Sequence, residues 1–550
     1  MQLQRRYRFI RKYTNVWVIA STIGAAVILL PILYVMSGLL RPVNDNWAAV
    51  KAYLLTDYVI GSAKLVLTTG GLATLIGVLL AWLVVGYTFP LRRFFRWALL
   101  LPLAVPPYIA AYTYGTMTSY TGIIQSTLRN QFDIRLPHGM IELSSTRGAV
   151  FTLTLFLYPY VFLLMRTYLE RQSGSYIENG RLLGRSGPGL FLRVVLPLAR
   201  PAIIAGLMLV TFEVLSDYGV ASYFGVQTIS TAIFQTWFGM YDIDSAMRLA
   251  AWLLVIIVAI FIAERLLRQG RRYGALSSRS KPLQPVRLQG LAAVSATALC
   301  TLVFVLGFLL PVGQLVQWSS WTYSNVWRGD FAELILNTLT GAAWATLIVM
   351  ALAVLSAKSV RMLAHTGAYA LSRLMTAGYA IPGAIIAIGV LAVFIGLDEL
   401  LSPLYVWLGR EAGALILSLS LAMLLAGYVV RFMATGYNAV EAGYDKIPRS
   451  YTEAAHTLGH KQGSAFRRVE LPLLRNAILS GFALTFIEIV KELPLTLLLR
   501  PFNFDTLATR AYIYAIDERI YEAALPSLLL VGLSLLSVFI VLRVEKGRRR

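Results

Sequence analysis

The side chains able to do chemistry are few, and the most telling ones sit among apolar neighbours. Glu213 and Asp217 lie four residues apart inside one apolar block. Glu488 and Glu492 repeat that spacing inside another, at an offset of 275 (488 − 213). Ionisable groups within membrane-spanning segments are costly and point to function. A four-residue spacing puts both carboxylates of a pair on one helical face. Four carboxylates around a central path would attract a hard trication, and Tyr218 could add a phenolate. A structural reading stands beside this one: Lys491 neutralises Glu488 or Glu492, or the groups sit near an outer rim in water.

Other candidates are sparse. His138, His365, His456 and His460 are scattered over loops. His456 and His460 have a metal-ligand spacing, but Gly459 is expected to end their helix between them, which favours a solvated or partner-facing pair. Cys300 is the only cysteine, so an internal disulfide and a Cys/His zinc site are both excluded. No G-x-x-x-x-G-K-[ST] phosphate loop is present, so no nucleotide hydrolysis is expected in this chain. No metal site is firmly assigned.

The elements that position these residues are membrane helices. The 550 residues are 57% hydrophobic and 14% charged, with mean hydropathy +0.67, where soluble domains carry about 25% charged residues. The excess lies in blocks near the roughly 20 residues that cross a hydrocarbon core as a helix. Twelve spans are expected: 16–40, 59–86, 97–118, 148–165, 201–224 and 247–264, then 289–311, 334–357, 374–397, 411–433, 477–499 and 522–542. The first block follows a basic start and is too long for a signal-peptide core, so it reads as a retained span. Prolines within spans (Pro31, Pro106, Pro107, Pro159, Pro382) permit packing kinks. Net charge is +22. Most of the Lys and Arg fall on alternate loops and both termini, which is positive-inside bias and not a nucleic-acid footprint. Both termini are therefore placed in the cytoplasm.

Residues 175–206 and 450–481 align without gaps at the same offset of 275, with 15 of 32 positions identical. Ala104-Val105-Pro106 recurs as Ala380-Ile381-Pro382, at an offset of 276. The chain is thus an all-α integral membrane protein, a tandem duplication of a six-helix half: residues 1–270, a cytoplasmic linker 271–288 rich in Arg, Ser, Gly and Pro, and residues 289–550. Halves with the same orientation predict a pseudo-twofold axis along the membrane normal, with a pathway between them.

Each repeat copy falls between the fourth and fifth spans of its half. In the second, Ser450 is a candidate N-cap with Glu453 at the capping-box position. Gly459 is a candidate left-handed terminator, and Leu471-Pro472 suits a helix start. The pattern Glu453-Ala454-Ala455, Gly459, Val469, Leu471-Pro472 resembles the loop of permease subunits of binding-protein-dependent type I ABC importers. The first copy keeps Glu178, Gly184, Val194, Leu196 and Pro197 but has Asn179-Gly180 where that family has Ala-Ala. Gly180 costs about 1 kcal/mol in a helix, so a looser first loop is expected. Leu101 to Tyr108, Tyr158 to Val161 and Glu213 to Gly219 are similar to fused ferric-iron permeases in particular.

The resemblance implies a translocation unit formed by one chain, with both loops docked on two copies of a cytoplasmic ATPase that binds ATP and Mg. It also implies a periplasmic solute-binding protein, the inner membrane as location, and Fe(III) as cargo. Thiamine, phosphonate and polyamine importers share parts of the pattern. An ion-coupled secondary transporter and a channel or scaffold are the rival classes, and neither gives the paired loops a role.

Overall fold

The computed structural model describes residues 15–547 apart from 138, 172–173, 186, 270–282, 364 and 419. His138, most of the linker, the basic residues before position 15 and the last three arginines lie outside the described residues.

Apolar blocks fold as helices because lipid offers no partner for backbone N–H and C=O groups. The first half comprises α1 (Val16–Ser37), α2 (Leu55–Gly86), α3 (Pro107–Thr118), α4 (Thr146–Arg171), α5 (Gly174–Leu182), α6 (Leu196–Ser216) and α7 (Ile243–Gln269). The second comprises α8 (Gly290–Val326), α9 (Gly329–Met362), α10 (Gly383–Trp407), α11 (Leu421–Tyr444), α12 (Arg449–Thr457), α13 (Leu471–Val490) and α14 (Ile520–Gly547). Helices α5 and α12 are the short loop helices, and the other twelve follow the order of the expected spans. Among the described residues, nine helical stretches are long and apolar enough to cross a membrane, ten if one bent pair counts as a span. Helix α11 falls outside that set, and the described apolar part of α14 is short, Ile520–Leu536. Two residues of parallel pairing, Tyr87↔Val286 and Thr88↔Arg287, are the only β structure among the described residues.

Several expected boundaries move. The span at 97–118 is in fact an elbow helix Arg92–Ala98, a 3-10 turn Leu101–Ala104 and then α3, with a bend of 90°. Pro106 and Pro107 cannot donate to the ladder, so the helix restarts there. The span at 411–433 lies about ten residues later, as α11. The spans at 201–224 and 477–499 start earlier and stop at Ser216 and Val490.

The halves exchange their first helices. Helix α1 packs on α9 and α10 of the other half: Ser21 and Ser359 hydroxyls meet at 2.7 Å. Gly389 lies so close to α1 that a Cβ there would stand 2.4 Å from the Pro31 carbonyl oxygen. In return α8 packs on the first half, where the Tyr114 hydroxyl donates to the Leu306 carbonyl and Phe94 meets Phe304 edge-on at 5.4 Å. A π turn at Val305–Leu309 adds one residue to α8. The 3-10 turns Leu101–Ala104 and Ala377–Ala380 are related by an offset of 276. At the start of α7, Asp242 accepts from the Asn44 amide and from the Ser245 N–H and hydroxyl. Burial alone would raise its carboxyl, but these hydrogen bonds hold it below the ordinary value.

Gly389→Ala is expected to lower stability by about 1–3 kcal/mol, because the backbone of α1 must give way. Gly396→Ala, on the same helix with open space at its Cβ, should be neutral or slightly stabilising. Thermal melts of the two purified variants test the pair.

Candidate functional site

Helices α6 and α13 bring the predicted carboxylates to one place. Glu213, Asp217, Glu488 and Glu492 all line a single cavity of about 200 Å³ between the halves, with Arg431 and Lys491. They are not held as sequence spacing suggests. Helix α6 ends at Ser216 and α13 at Val490, so neither pair shares one face of a continuous helix.

Asp217 is the C-cap residue of α6, in extended conformation, and its carboxylate accepts from the backbone N–H groups of Val220 (3.0 Å) and Ala221 (3.1 Å). Glu492 accepts from the N–H of Leu495 at 3.2 Å. Each caps the short helix that follows, Gly219–Tyr223 or Pro494–Leu499, satisfying donors that have no intrahelical partner. Among the described residues Glu213 has no such duty, and Glu488 accepts from the Thr435 hydroxyl at 2.9 Å. Arg431 donates to the Ile381 carbonyl at the bend before α10. Lys491 lines the cavity without an ion pair to Glu488 or Glu492 among the described residues.

Four carboxylates thus face two cations, and both cations come from the second half. Among the described residues no three His, Cys, Asp or Glu side chains are placed to hold a metal ion together. The cavity lining thus carries more acidic than basic side chains, with no chelating cluster among the described residues. Tyr218 is not in the lining. Its ring stacks on Phe234 at 3.6 Å and approaches Tyr512 at 6.0 Å, and Tyr512 meets the cavity-lining Tyr108 at 6.1 Å. These tyrosines form an aromatic layer beside the cavity.

The two loops form matching hairpins. Gly184 and Gly459 adopt φ of +76° and +84°, the left-handed conformation that glycine tolerates without strain. The next N–H in each reaches back five residues, Arg185 to the Gly180 carbonyl and His460 to the Ala455 carbonyl, both at 3.0 Å, which is the Schellman closure. The start of α12 differs from expectation: Pro448 is the N-cap, Ser450 lies inside the helix, and no side-chain cap forms. Gly180 does not loosen α5. A Cβ there would stand 2.9 Å from Leu190, so glycine permits close packing.

Glu178 is half-buried; Glu453 and Ala454 are exposed, and Ala455 is buried. Leu196-Pro197 and Leu471-Pro472 open α6 and α13, each directly after a π turn, Phe191–Val195 or Phe466–Glu470. The His456 and His460 rings are engaged by the His460 carbonyl and the Ser464 hydroxyl.

Two features escaped sequence reasoning. Leu183 and Leu458, at equivalent positions beside the terminating glycines, are 82% and 79% exposed. Their signal was available in the 275 offset, but a leucine in an apolar chain draws no notice. The second is a buried node under α12. Lys358 of α9 pairs with Glu470 at 2.6 Å, with side chains 4% and 0% exposed. Glu470 also accepts from the hydroxyls of Tyr444 (2.9 Å) and Thr452 of α12 (3.0 Å).

The first half fills the same place with Trp82, Val195, Leu169 and Ile177, all buried. Offsets are 275 for the last three and 276 (358 − 82) for the first. The Ser62 and Thr338 hydroxyls, which accept from Ile229 and Leu507 N–H groups, show the same 276.

Two helical halves exchanging their first helices around a polar cavity, with twin hairpins on one face, describe a membrane permease fused from two homologous units. The family described as binding-protein-dependent transport system inner membrane component matches residues 73–269 and 350–550, and the chain belongs to that family. It is similar to the Fe(3+)-transport system permease protein FbpB 2 of Haemophilus influenzae, with 25% identity over 524 residues, 93% of this chain and 95% of that one. The sulfate transport system permease protein CysT of Salmonella typhimurium is 27% identical over 182 residues, 32% of this chain and 63% of its own. The molybdenum transport system permease protein ModB of Escherichia coli is 30% identical over 175 residues, 31% of this chain and 74% of its own.

Lys358→Met should cost about 3–5 kcal/mol, because it strands a buried carboxylate. The double variant Lys358→Met with Glu470→Val, which approaches the apolar arrangement of the first half, should recover most of that loss. Melting temperatures of both variants decide it, and a double variant no more stable than the single one contradicts the assignment.

Proposed function

We propose that this chain forms the translocation pathway of an importer for ferric iron. An external solute-binding protein delivers the ion, and two copies of a cytoplasmic ATPase, which bind ATP and Mg, drive the cycle. The observation that carries the cargo is the acid excess of the cavity between the halves. A relative named for Fe(3+) transport that aligns over 93% of the chain supports it. Halves 1–270 and 289–550, joined by 271–288, rock about their common axis as the ATPases close. The termini and both hairpins lie in the cytoplasm, where the basic loops belong.

In this reading the exposed Leu183 and Leu458, with Glu178 and Glu453 beside them, sit in the ATPase grooves. An exposed leucine at the same place in both hairpins is the kind of apolar surface that a partner covers. Glu213 and Glu488 are the carboxylates that meet the ion, while Asp217 and Glu492 hold the path open by capping its turns. Arg431 and Lys491, together with the sulfate and molybdenum relatives, favour one alternative cargo, an oxyanion.

Glu213→Gln with Glu488→Gln is expected to lower uptake of radioactive iron at least roughly tenfold. Two unit charges near an ion in a partly desolvated site are worth on the order of several kcal/mol, and 1.4 kcal/mol is tenfold. Iron uptake unchanged by the pair, with sulfate or molybdate uptake altered, decides for the oxyanion.

Leu183→Asp with Leu458→Asp should abolish co-purification of the ATPase and with it transport. Uptake that persists at full rate without the ATPase would leave ion-coupled secondary transport as the explanation.

A further inference from the structure

The wall of the central cavity holds one oxygen that its carboxylates do not account for. Tyr108, in the first turn of α3, lines the cavity with Glu213 and Glu488. The residue is 6% exposed, and its hydroxyl is shielded from solvent with no hydrogen-bond partner among the described residues. Buried tyrosine hydroxyls ordinarily find a partner, and elsewhere in this chain they do. Tyr158 donates to the Leu99 carbonyl at 2.9 Å, Tyr428 meets the Thr496 hydroxyl at 2.7 Å, and Tyr444 donates to Glu470 at 2.9 Å. Tyr512 is the other exception among the buried tyrosines described, and it is not in the cavity lining.

Packing, and not this oxygen, holds the ring. A Cβ on Gly219 would stand 2.7 Å from the Tyr108 Cβ, and the Tyr108 ring meets that of Tyr512 edge-on at 6.1 Å. The fold does not demand the phenol either. At the offset of 276 that relates Ala104-Val105-Pro106 to Ala380-Ile381-Pro382, Tyr108 corresponds to Ala384. The same helix start is thus built with a methyl group in one half and a phenol in the other. The phenol belongs to the half that gives the cavity Glu213 and Asp217 and no cation. A buried hydroxyl left unpaired costs free energy, and its placement on the wall of an acidic cavity points to a partner that is carried through.

We propose that Tyr108 is a cargo-binding residue, whose phenolate oxygen ligates ferric iron as the ion passes Glu213 and Glu488. The inference rests on the ferric reading given above. A bound cation of high charge displaces the proton of its ligand. The phenol O–H bond breaks as the iron–oxygen bond forms, the proton goes to water released from the ion's own shell, and no electron changes hands. An oxyanion would instead accept from the intact O–H. The two cargoes therefore leave different marks on the same atom.

Tyr108→Phe deletes that oxygen and nothing else, and Tyr512→Phe deletes the other unpaired hydroxyl, outside the lining. Both variants should melt at or slightly above the temperature of the unaltered chain, because each loses an unsatisfied buried group. In cells that depend on the full chain, Tyr108→Phe should lower uptake of radioactive iron roughly tenfold, the worth of one bond to a charged group, and Tyr512→Phe should leave it unchanged. The purified chain with ferric citrate should show the visible charge-transfer absorption of a phenolate on Fe(III), lost in Tyr108→Phe and kept in Tyr512→Phe. Full uptake in Tyr108→Phe, beside a loss in Glu213→Gln with Glu488→Gln, overturns the tyrosine and leaves the ferric reading standing. So does a fall in uptake when the unaltered chain shows no such absorption. Iron uptake indifferent to all these variants, with sulfate or molybdate uptake lowered by Tyr108→Phe, overturns both.

Discussion

A helix that stops inside a protein must hand its last carbonyls and the next helix's first N–H groups to some partner. The rest of the site depends on how α6 and α13 meet that demand. Both stop beside the axis, and in both the first turn beyond the break is capped by an acidic side chain, Asp217 or Glu492. The caps place negative charge where the backbone turns away, and the turn leaves room for a cavity. Glu213 and Glu488, one turn earlier on unbroken helix, then face the same space without a structural task of comparable weight. Half of the acidic character of the path is therefore the by-product of a backbone requirement.

Fusion lets two copies of one design diverge. A symmetric pair of chains must use the same residues twice, and this chain does so only where both halves have the same job. The glycine closures of the hairpins, the leucines beside them and the capped breaks are duplicated. The ground beneath the hairpins is not: Lys358, Glu470, Tyr444 and Thr452 stand against Trp82, Val195, Leu169 and Ile177. Lys358, Glu470 and Tyr444 are buried in one solution, and all four first-half counterparts are buried in the other. The ionic one gains specificity at the cost of desolvation, and the apolar one gains packing without that cost. All the cations of the central cavity also come from one half, so the path is acidic on one side and mixed on the other.

The duplication, the hairpins and the register of the four carboxylates were legible in the sequence because each is a repeated pattern of residue type. Gly184 and Gly459 could be assigned positive φ from position alone. The helix ends at Ser216 and Val490 could not be read, because hydropathy continues across the break and spacing arguments presuppose an unbroken helix. Gly180 was misleading for a related reason: intrinsic propensity counts a glycine as loose, while here it lets the Leu190 side chain pack closely, and a Cβ would make that side chain shift. Glu470 was invisible as a buried group because its partners, Lys358, Tyr444 and Thr452, come from three separate helices. The shift of α11 by ten residues follows from Arg431 and Glu441, charges that lower its hydropathy although both face the interior of the protein.

The hairpins and the path are connected by rigid elements. Residue 470 is the last of a π turn that runs without interruption into α13, and α13 carries Glu488 eighteen positions on (488 − 470). Thr452 on α12 donates to Glu470, so a displacement of α12 moves the foot of the same helix whose far end carries a cavity carboxylate. Lys358 and Tyr444 tie that foot to α9 and α11, and α11 carries Arg431 and Thr435 to the cavity. A push at the second hairpin therefore reaches Glu488 and its partner Thr435 along two adjoining helices that move together. Among the described residues, the first hairpin offers Ile177 and Val195 at the places of Thr452 and Glu470, an apolar contact that passes compression but resists sliding less than a directional bond does.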